Sequence, residues 1–334
     1  MKAVAVWPSS RKVGVVEQAA PTLDSDTSVR LRVLDVGVCG TDAEICRFDY
    51  GGTPPAGEDH LVVGHEALGQ VIELGSRVSR LRPGDLVAPM VRRPCSHPEC
   101  SACRAGHPDF CETGAYLERG IVGAHGFLAE QVVENERYLV PLAREIRDVG
   151  VLTEPLTIAE KGLRQFLEVR RRLPWLERAT DDELMAGRHA LVLGAGPVGL
   201  LGCMLLRLRG FSVTVYSRGP SGSHRAGLVE KLGAAYLSSS ETTAAEAANL
   251  GVDLCLCMSI EPGYSGQKFM PEALGRLERL RSLVDCLVQV DGGITHENAG
   301  AAHEAGADLL VAGTSIFGAD DIAHAYRGLV QAVA

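Results

Sequence analysis

A surplus of basic charge is missing from this chain. Its formal net charge is −9 over 334 residues, which argues against nucleic acid or an anionic membrane as the main partner and leaves small molecules and proteins. A long apolar run is missing too. The most apolar stretch, Ala190 to Leu206, is broken by Gly194, Gly196, Gly199, Gly202 and Pro197; it reads as strand, turn and helix rather than a membrane span. The opening "MKAVAVWPSSRKVGVV" lacks the apolar core and small-residue cleavage site of a secretory signal and alternates like a strand. The chain carries no internal repeat and no disorder signature. These absences predict a globular cytoplasmic protein.

What is present fits two ordinary domains by length. Up to about residue 150, short alternating segments such as "VRLRVLDVGV", "ALGQVIELG" and "FLAEQVVE" are separated by Gly, Pro and Asp turns, an antiparallel, barrel-like pattern. From about 153 to 179 the periodicity is helical, interrupted by Pro174, and 180–187 reads as a polar linker. Strand-like and helix-like segments then alternate to the end, which predicts a parallel sheet with crossover helices. The expected divisions are 1–185, 186–257 and 258–334.

Ten cysteines without an export signal point to reduced thiols, so clustered ones read as metal ligands rather than disulfides. In "GVCGTD" and "GHEALG", Cys39, His65 and Glu66 fall in turns. A thiolate, an imidazole and a carboxylate suit Zn²⁺, and three protein ligands leave a position open for water or substrate. The simpler reading is a buried cysteine and an unrelated surface histidine. A second, denser cluster is "RRPCSHPECSACRAGHPDFCETG". Further on, "HALVLGAGPVGLLGCMLL" sets Gly194, Gly196 and Gly199 as G-x-G-x-x-G between a strand and a helix, with Pro197 and Val198 opening that helix. The pattern suits a dinucleotide pyrophosphate at a helix N-terminus. The next strand ends "VYSRGPSGSHR" without an acid, so Ser217 and Arg218, with Arg225 as helper, favour the extra phosphate of NADP over NAD.

These motifs resemble the medium-chain, zinc-dependent alcohol dehydrogenases. "AEICRFDYGGTPPAGEDHLVVGHEALG", "YLERGIVGAHGF" and "TEPLTIAEKGL" narrow the resemblance to the NAD(P)-dependent glucose dehydrogenase branch, from Met1 to about Asp253. It implies an α/β protein, with a GroES-like β-barrel catalytic domain followed by a Rossmann-type domain. Catalytic zinc would lie on Cys39 and His65, with Glu66 and Glu154 as direct or water-bridged ligands. Thr41 would relay the hydroxyl proton, and Glu118 and Glu154 would contact the sugar. Cys100, Cys103 and Cys111 match the last three ligands of a structural zinc. The usual spacing puts the first ligand at His97, with Cys95 two residues earlier, so either completes the set. The substrate would be an aldose, and the family is homo-oligomeric.

From about Val252 onward the resemblance changes. "CMSIEPGYSGQKFMPEALGRLERLRSL", "VQVDGGIT" and "AGADLLVAGTSIFGADD" are similar to the last three strand–helix units of ribulose-phosphate 3-epimerase, a (β/α)₈ barrel. There Gly263, Gly266, Gly292, Gly293, Gly313 and Thr314 would form a backbone phosphate cup, and Asp291 matches one acid/base carboxylate. Epimerisation needs a second carboxylate and a metal to stabilise the enediolate. The early-strand motif that supplies them has no counterpart in this chain, so Asp291 is expected to be inert. The expected function is oxidation of an aldose at C1. A pentulose-phosphate isomerase and a non-catalytic zinc and nucleotide binder are the alternatives.

Overall fold

The computed structural model describes residues 1–173, 176–243, 246–247, 254–258, 269–284, 287–319 and 321–333, with the backbone alone for 254–258, Thr314 and Phe317. The chain divides into two compact units, Met1–Ile158 and Ala159–Ala334. Among the described residues no helix is long and apolar enough to cross a membrane.

The first unit is built on a five-stranded antiparallel sheet. Its order is Gln131–Asn135, Ser28–Gly37, Glu66–Leu74, Leu86–Pro89 and Leu139–Leu142. Alternation explains the packing: Val29 and Leu31 point inward with Ala67, Val71, Val87, Val132 and Leu139 around the fully buried Phe127. A second sheet pairs Lys12–Glu17, Lys2–Trp7 and Leu61–Val62. Its side chains Val6 and Leu61 join Ile45, Val63 and Ile121 in a neighbouring core.

Register is what prepares the site. Ser28–Gly37 pairs with Glu66–Leu74 through two irregularities, between Arg30 and Leu31 and between Val33 and Asp35, and ends with Gly37 opposite Glu66. Residues 38–40 and 63–65, just beyond this pair, therefore leave the sheet at the same edge. The segment 126–128 ties down the second of them. Gly126 N–H donates to Val62 O at 2.7 Å, Phe127 N–H to Gly64 O at 2.8 Å and Leu128 N–H to Val63 O at 3.0 Å.

The second unit contains two three-stranded parallel sheets. One pairs His189–Leu193, Ser212–Ser217 and Ala235–Ser238. The other pairs Leu254–Met258, Leu287–Asp291 and Leu309–Val311, in sequence order, over a core of Leu277, Val284, Val288, Val290, Ile294 and Ala302. Among the described residues no ladder joins the two sheets. Sequence-order parallel pairing arises both in each half of a doubly wound sheet and between consecutive barrel strands, so pairing order alone suits either parentage of the last three units.

The stretch expected to be a polar linker contains a short helix, Asp181–Met185. Thr180 caps it: its hydroxyl accepts from Glu183 N–H at 3.3 Å, while Glu183 Oε2 accepts from Thr180 N–H at 2.8 Å. Leu184 and Met185 are buried. The capping box in "TDDE" outweighs the polarity that suggested a linker.

Phe127 joins the core to the segment that grips Gly64. Phe127→Ala is expected to cost about 3–5 kcal/mol, as large-to-small changes in cores do, and urea denaturation followed by circular dichroism measures it.

Candidate active site

Strand register brings Cys39 and His65, 26 residues apart, to a Sγ–Nε2 separation of 3.2 Å. Gly37 makes room for their neighbour: a Cβ there would lie 2.1 Å from Glu66 Oε2. Two overlapping groups of ligand atoms share His65, one with Cys39 and Asp42 and the other with Glu66 and Glu154; within each group all atoms lie within 4.8 Å of one another. Between them the two groups include the four residues expected at the catalytic metal, joined through His65. Zn–S and Zn–N bonds of about 2.3 and 2.1 Å span at most ~4.4 Å between their donors, so Cys39 and His65 fit one ion.

Asp42 is the residue that sequence reasoning missed. It stands in the first turn of the helix Gly40–Arg47 and is only 2% exposed. Its Oδ2 accepts from Cys39 N–H at 3.0 Å, its Oδ1 accepts from Gly64 N–H at 3.2 Å, and Oδ1 lies 3.5 Å from His65 Nδ1. One carboxylate therefore bonds the backbone of both turns that carry Cys39 and His65, and it sits beside the His65 ring, whose Nδ1 makes no hydrogen bond among the described residues. The signal was in "CGTD": an acid three residues after a residue that opens a helix is placed to accept that residue's N–H.

The electrostatics of the cluster favour a cation. Burial pushes the Cys39 thiol up, against hydrogen bonds from the Asp42 and Thr41 N–H groups and the Thr41 side chain. Burial likewise raises Glu66 and Glu154. It would also lower His65, but the Asp42 carboxylate beside the ring and the charges of Glu154 and Glu66 outweigh it, and the imidazole pKa rises. Asp42 itself ends below the usual carboxylate range, because the neighbouring His65 and the bond from Cys39 N–H overcome the cost of burial. Metal ligands must be deprotonated to bind, so an ion held here would displace whatever protons Cys39, Glu66 and Glu154 carry.

The cysteine lobe forms a second, closed donor set. The sulfurs of Cys95, Cys100, Cys103 and Cys111 all lie within 4.8 Å of one another. His97 is outside it, exposed, with Nδ1 3.0 Å from Glu99 Oε1. Of the two candidates for the first ligand, the structure brings Cys95 to the other three. The Thr113 hydroxyl holds Cys111 down at about 6, whereas burial pushes Cys103 up to about 12. Four sulfurs so close suit a tetrahedral structural ion.

A third group, Glu58, His60 and His125, has similar spacing but different chemistry. His125 Nδ1 accepts from Val62 N–H at 3.1 Å, so the neutral ring carries its proton on Nε2, which donates to Glu58 Oε2 at 2.8 Å. This is a brace on the strand before His65, with a ring proton where a ligand's lone pair would be needed.

Glu118 lies in a small sheet of Arg92–Arg93, Leu117–Arg119 and Gly123–Ala124, where it is buried and bound by Arg92. Thr41 is at the start of the helix that follows Cys39.

In the second unit, Gly194, Gly196, Ser217 and Arg218 line one cleft with Tyr216, Gly219 and Arg225. The cleft holds about 610 Å³, within the range of small-molecule sites. Gly196 precedes the helix Pro197–Leu208, whose first turn holds Pro197, Val198 and Gly199. At Gly199 a Cβ would lie 2.0 Å from Gly194 O, so only glycine lets the helix approach the strand so closely. Ser217 Oγ accepts from Ala195 N–H at 3.3 Å. Arg218 and Arg225 are exposed, and among the described residues neither guanidinium has an ion pair.

Asp291 ends its strand in register with Met258 and Val311, so the C-terminal ends of the three last strands lie side by side. Gly292 and Gly293 follow it with φ of 121° and 64°. Gly313 directly precedes the helix Thr314–Phe317. Gly263 and Gly266 lie outside the described residues.

Comparison with known proteins agrees with this layout. Residues 25–144 match the alcohol dehydrogenase GroES-like domain, 147–263 the glucose dehydrogenase C-terminus and 229–317 the ribulose-phosphate 3 epimerase family. Glucose 1-dehydrogenase of Methanocella arvoryzae is 40% identical over 251 residues, 75% of this chain and 66% of that protein. Glucose 1-dehydrogenase 2 of Caldivirga maquilingensis is 36% identical over 255 residues, 76% of this chain and 68% of that protein. The chain thus spans about two thirds of the length of the curated relatives it matches. Among solved structures, Haloferax mediterranei glucose dehydrogenase in complex with NADP, Zn and gluconolactone has a TM-score of 0.68 at 29% identity, covering 99% of this chain and 88% of that one. Galactitol-1-phosphate dehydrogenase of Escherichia coli shares the fold, with a TM-score of 0.64 at 21% identity, covering 100% and 88%. With a GroES-like match over the unit that gathers Cys39, His65, Glu66 and Glu154, and a relative 36% identical matched over 68% of its length, the chain belongs to the glucose 1-dehydrogenase family.

Proposed function

We propose that this chain is a zinc-dependent oxidoreductase that converts an aldose such as glucose to its lactone, with loss of the C1 hydride to NADP and of the hydroxyl proton to solvent. One observation carries the reading: Cys39, His65, Glu66 and Glu154 converge in a chain that also carries the glycine turn facing Arg218 and Arg225. Glucose 1-dehydrogenases 36–40% identical to it support the substrate class.

Cys39 and His65 would hold the catalytic zinc, with Glu66 and Glu154 as direct or water-bridged ligands. When bound, zinc supplies a Lewis acid that lowers the pKa of a coordinated hydroxyl. Thr41 has a hydroxyl that both donates and accepts, as passing the sugar's proton toward solvent requires. Glu118 would accept a hydrogen bond from a sugar hydroxyl, and Asp42 would hold His65 in place. Cys95, Cys100, Cys103 and Cys111 would bind the structural zinc, a role that needs reduced thiols and so supports a cytoplasmic location. Gly194, Gly196 and Gly199 would let the pyrophosphate approach the start of the helix that Pro197 and Val198 open. NADP, when bound, supplies the hydride acceptor, and the guanidinium groups of Arg218 and Arg225 would neutralise its extra phosphate beside Ser217.

The functional division follows as 1–185 for catalysis, 186–257 for the dinucleotide and 258–334 for the epimerase-like units. The glucose dehydrogenase and epimerase matches overlap at residues 229–263, which supports a junction there. That overlap favours a second reading, a fusion whose last units descend from an epimerase. Gly292, Gly293, Gly313 and Thr314 would then keep the remains of its phosphate cup without the second carboxylate that epimerisation needs.

Incubation with NADP⁺ and glucose is expected to raise the absorbance of reduced nicotinamide; its absence across several aldoses in zinc-loaded protein would refute the dehydrogenase reading. Zinc and NADP binding without turnover would identify a non-catalytic binder, and turnover in a coupled pentulose-phosphate assay an isomerase. Metal analysis is expected to find about two zinc ions per chain. Cys103→Ser should release one of them and His65→Ala the other. Arg218→Gln is expected to raise KM for NADP about 10- to 100-fold and KM for NAD far less, since it removes a charge-assisted contact made to the extra phosphate alone.

A further inference from the structure

Arg92 stands directly opposite Glu118 across the small antiparallel pair of Arg92–Arg93 and Leu117–Arg119. Its guanidinium donates twice to the same carboxylate oxygen: Nε to Oε1 at 2.9 Å and Nη2 to Oε1 at 2.6 Å. Among the described residues no hydrogen bond reaches Oε2. Arginine–carboxylate pairs are frequently parallel forks, with one N–H to each oxygen. Here both N–H groups converge on one oxygen and leave the other with its lone pairs.

The arginine is itself held in place. Its guanidinium carbon lies 4.1 Å from the centre of the Tyr116 ring, and Nη1 lies 3.7 Å from Asp109 Oδ1 in the cysteine lobe. Burial acts to lower the Arg92 pKa, but the bond to Glu118 and the charges around it outweigh that, so the guanidinium stays charged. Glu118, with a side chain only 10% exposed, therefore keeps a fixed cationic partner in a setting where an unpaired carboxylate would be costly.

We propose that Arg92 is a positioning residue for sugar recognition: it clamps Glu118 through Oε1 and so presents Oε2 to accept from a hydroxyl of the aldose. Tyr116 and Asp109 hold the clamp, which connects the cysteine lobe to the sugar site through side chains. The proposal rests on the reading of Glu118 as a sugar-contacting carboxylate.

The test is calorimetric titration of D-glucose into the zinc-loaded chain saturated with reduced NADP, which cannot accept a hydride, so that affinity is read without turnover. Arg92→Gln is expected to weaken glucose binding about tenfold or more, as loss of hydrogen bonds to a charged group does. Arg92→Lys should recover only part of this, because one ammonium cannot reproduce the rigid fork. In a Glu118→Gln background, Arg92→Gln should add less than about twofold, since the two residues act as one unit. Zinc content and NADP affinity should stay at wild-type values. Wild-type glucose affinity in Arg92→Gln, with Glu118→Gln impaired, would overturn the clamp alone. The same loss in both backgrounds would also overturn it, because Arg92 would then act on the sugar without Glu118. Unchanged affinity in Glu118→Gln would remove the underlying reading instead. Should Arg92→Gln lose zinc or fail to fold, Arg92→Lys decides: full glucose affinity in that variant refutes the proposal.

Discussion

The pairing of Gly37 with Glu66, at the end of two antiparallel strands, is the constraint on which the metal cluster depends. It puts two glycine-framed turns at one sheet edge and lets Cys39 approach His65 across 26 residues of chain. A one-residue slip would turn every side chain of a strand to the other face. The buried alternation of Val29, Leu31, Ala67 and Val71 resists that slip, so the hydrophobic core protects the metal geometry. Asp42 completes the arrangement by bonding the backbone of both turns.

That geometry has an electrostatic cost, which explains the composition of the site. Three groups that become anionic on losing a proton, Cys39, Glu66 and Glu154, are all shifted upward by burial beside the already ionised Asp42. A divalent cation bound there would offset that cost. The cysteine lobe solves the same problem in closed form, with four sulfurs and no open position. Glu118 differs again, since a fixed arginine supplies its counter-charge. A cluster of metal-ligand side chains and a carboxylate paired with arginine are two ways to keep acids in partly buried surroundings.

Much of this could be read along the chain. The barrel-like strands, the G-x-G-x-x-G turn and the parallel strands of the second unit follow from periodicity and from Gly and Pro punctuation. The donor residues Cys39, His65, Glu66, Cys100, Cys103 and Cys111 are visible in short motifs. Asp42 was less visible, because its role depends on a helix start and on Gly64, 22 residues away. The helix Asp181–Met185 was hidden by its polarity, since a capping box and two buried side chains counted for more than composition. The last three strands follow from either of two parentages, because local sequence specifies parallel strand–helix units and not the larger sheet they join.

The sequence by itself determined the chemistry available: which thiols, imidazoles and carboxylates the chain carries, and a G-x-G-x-x-G turn between strand and helix with no acid after its second strand. Those properties reside in residue type and short spacing, which local backbone preferences express directly. Only the tertiary structure decided which of them meet. It brought Cys95 rather than His97 to the other three thiols, oriented His125 as a hydrogen-bonded brace, and set Arg92 against one oxygen of Glu118. Each of these choices depends on sheet register and ring orientation, which long-range packing sets and local spacing does not encode.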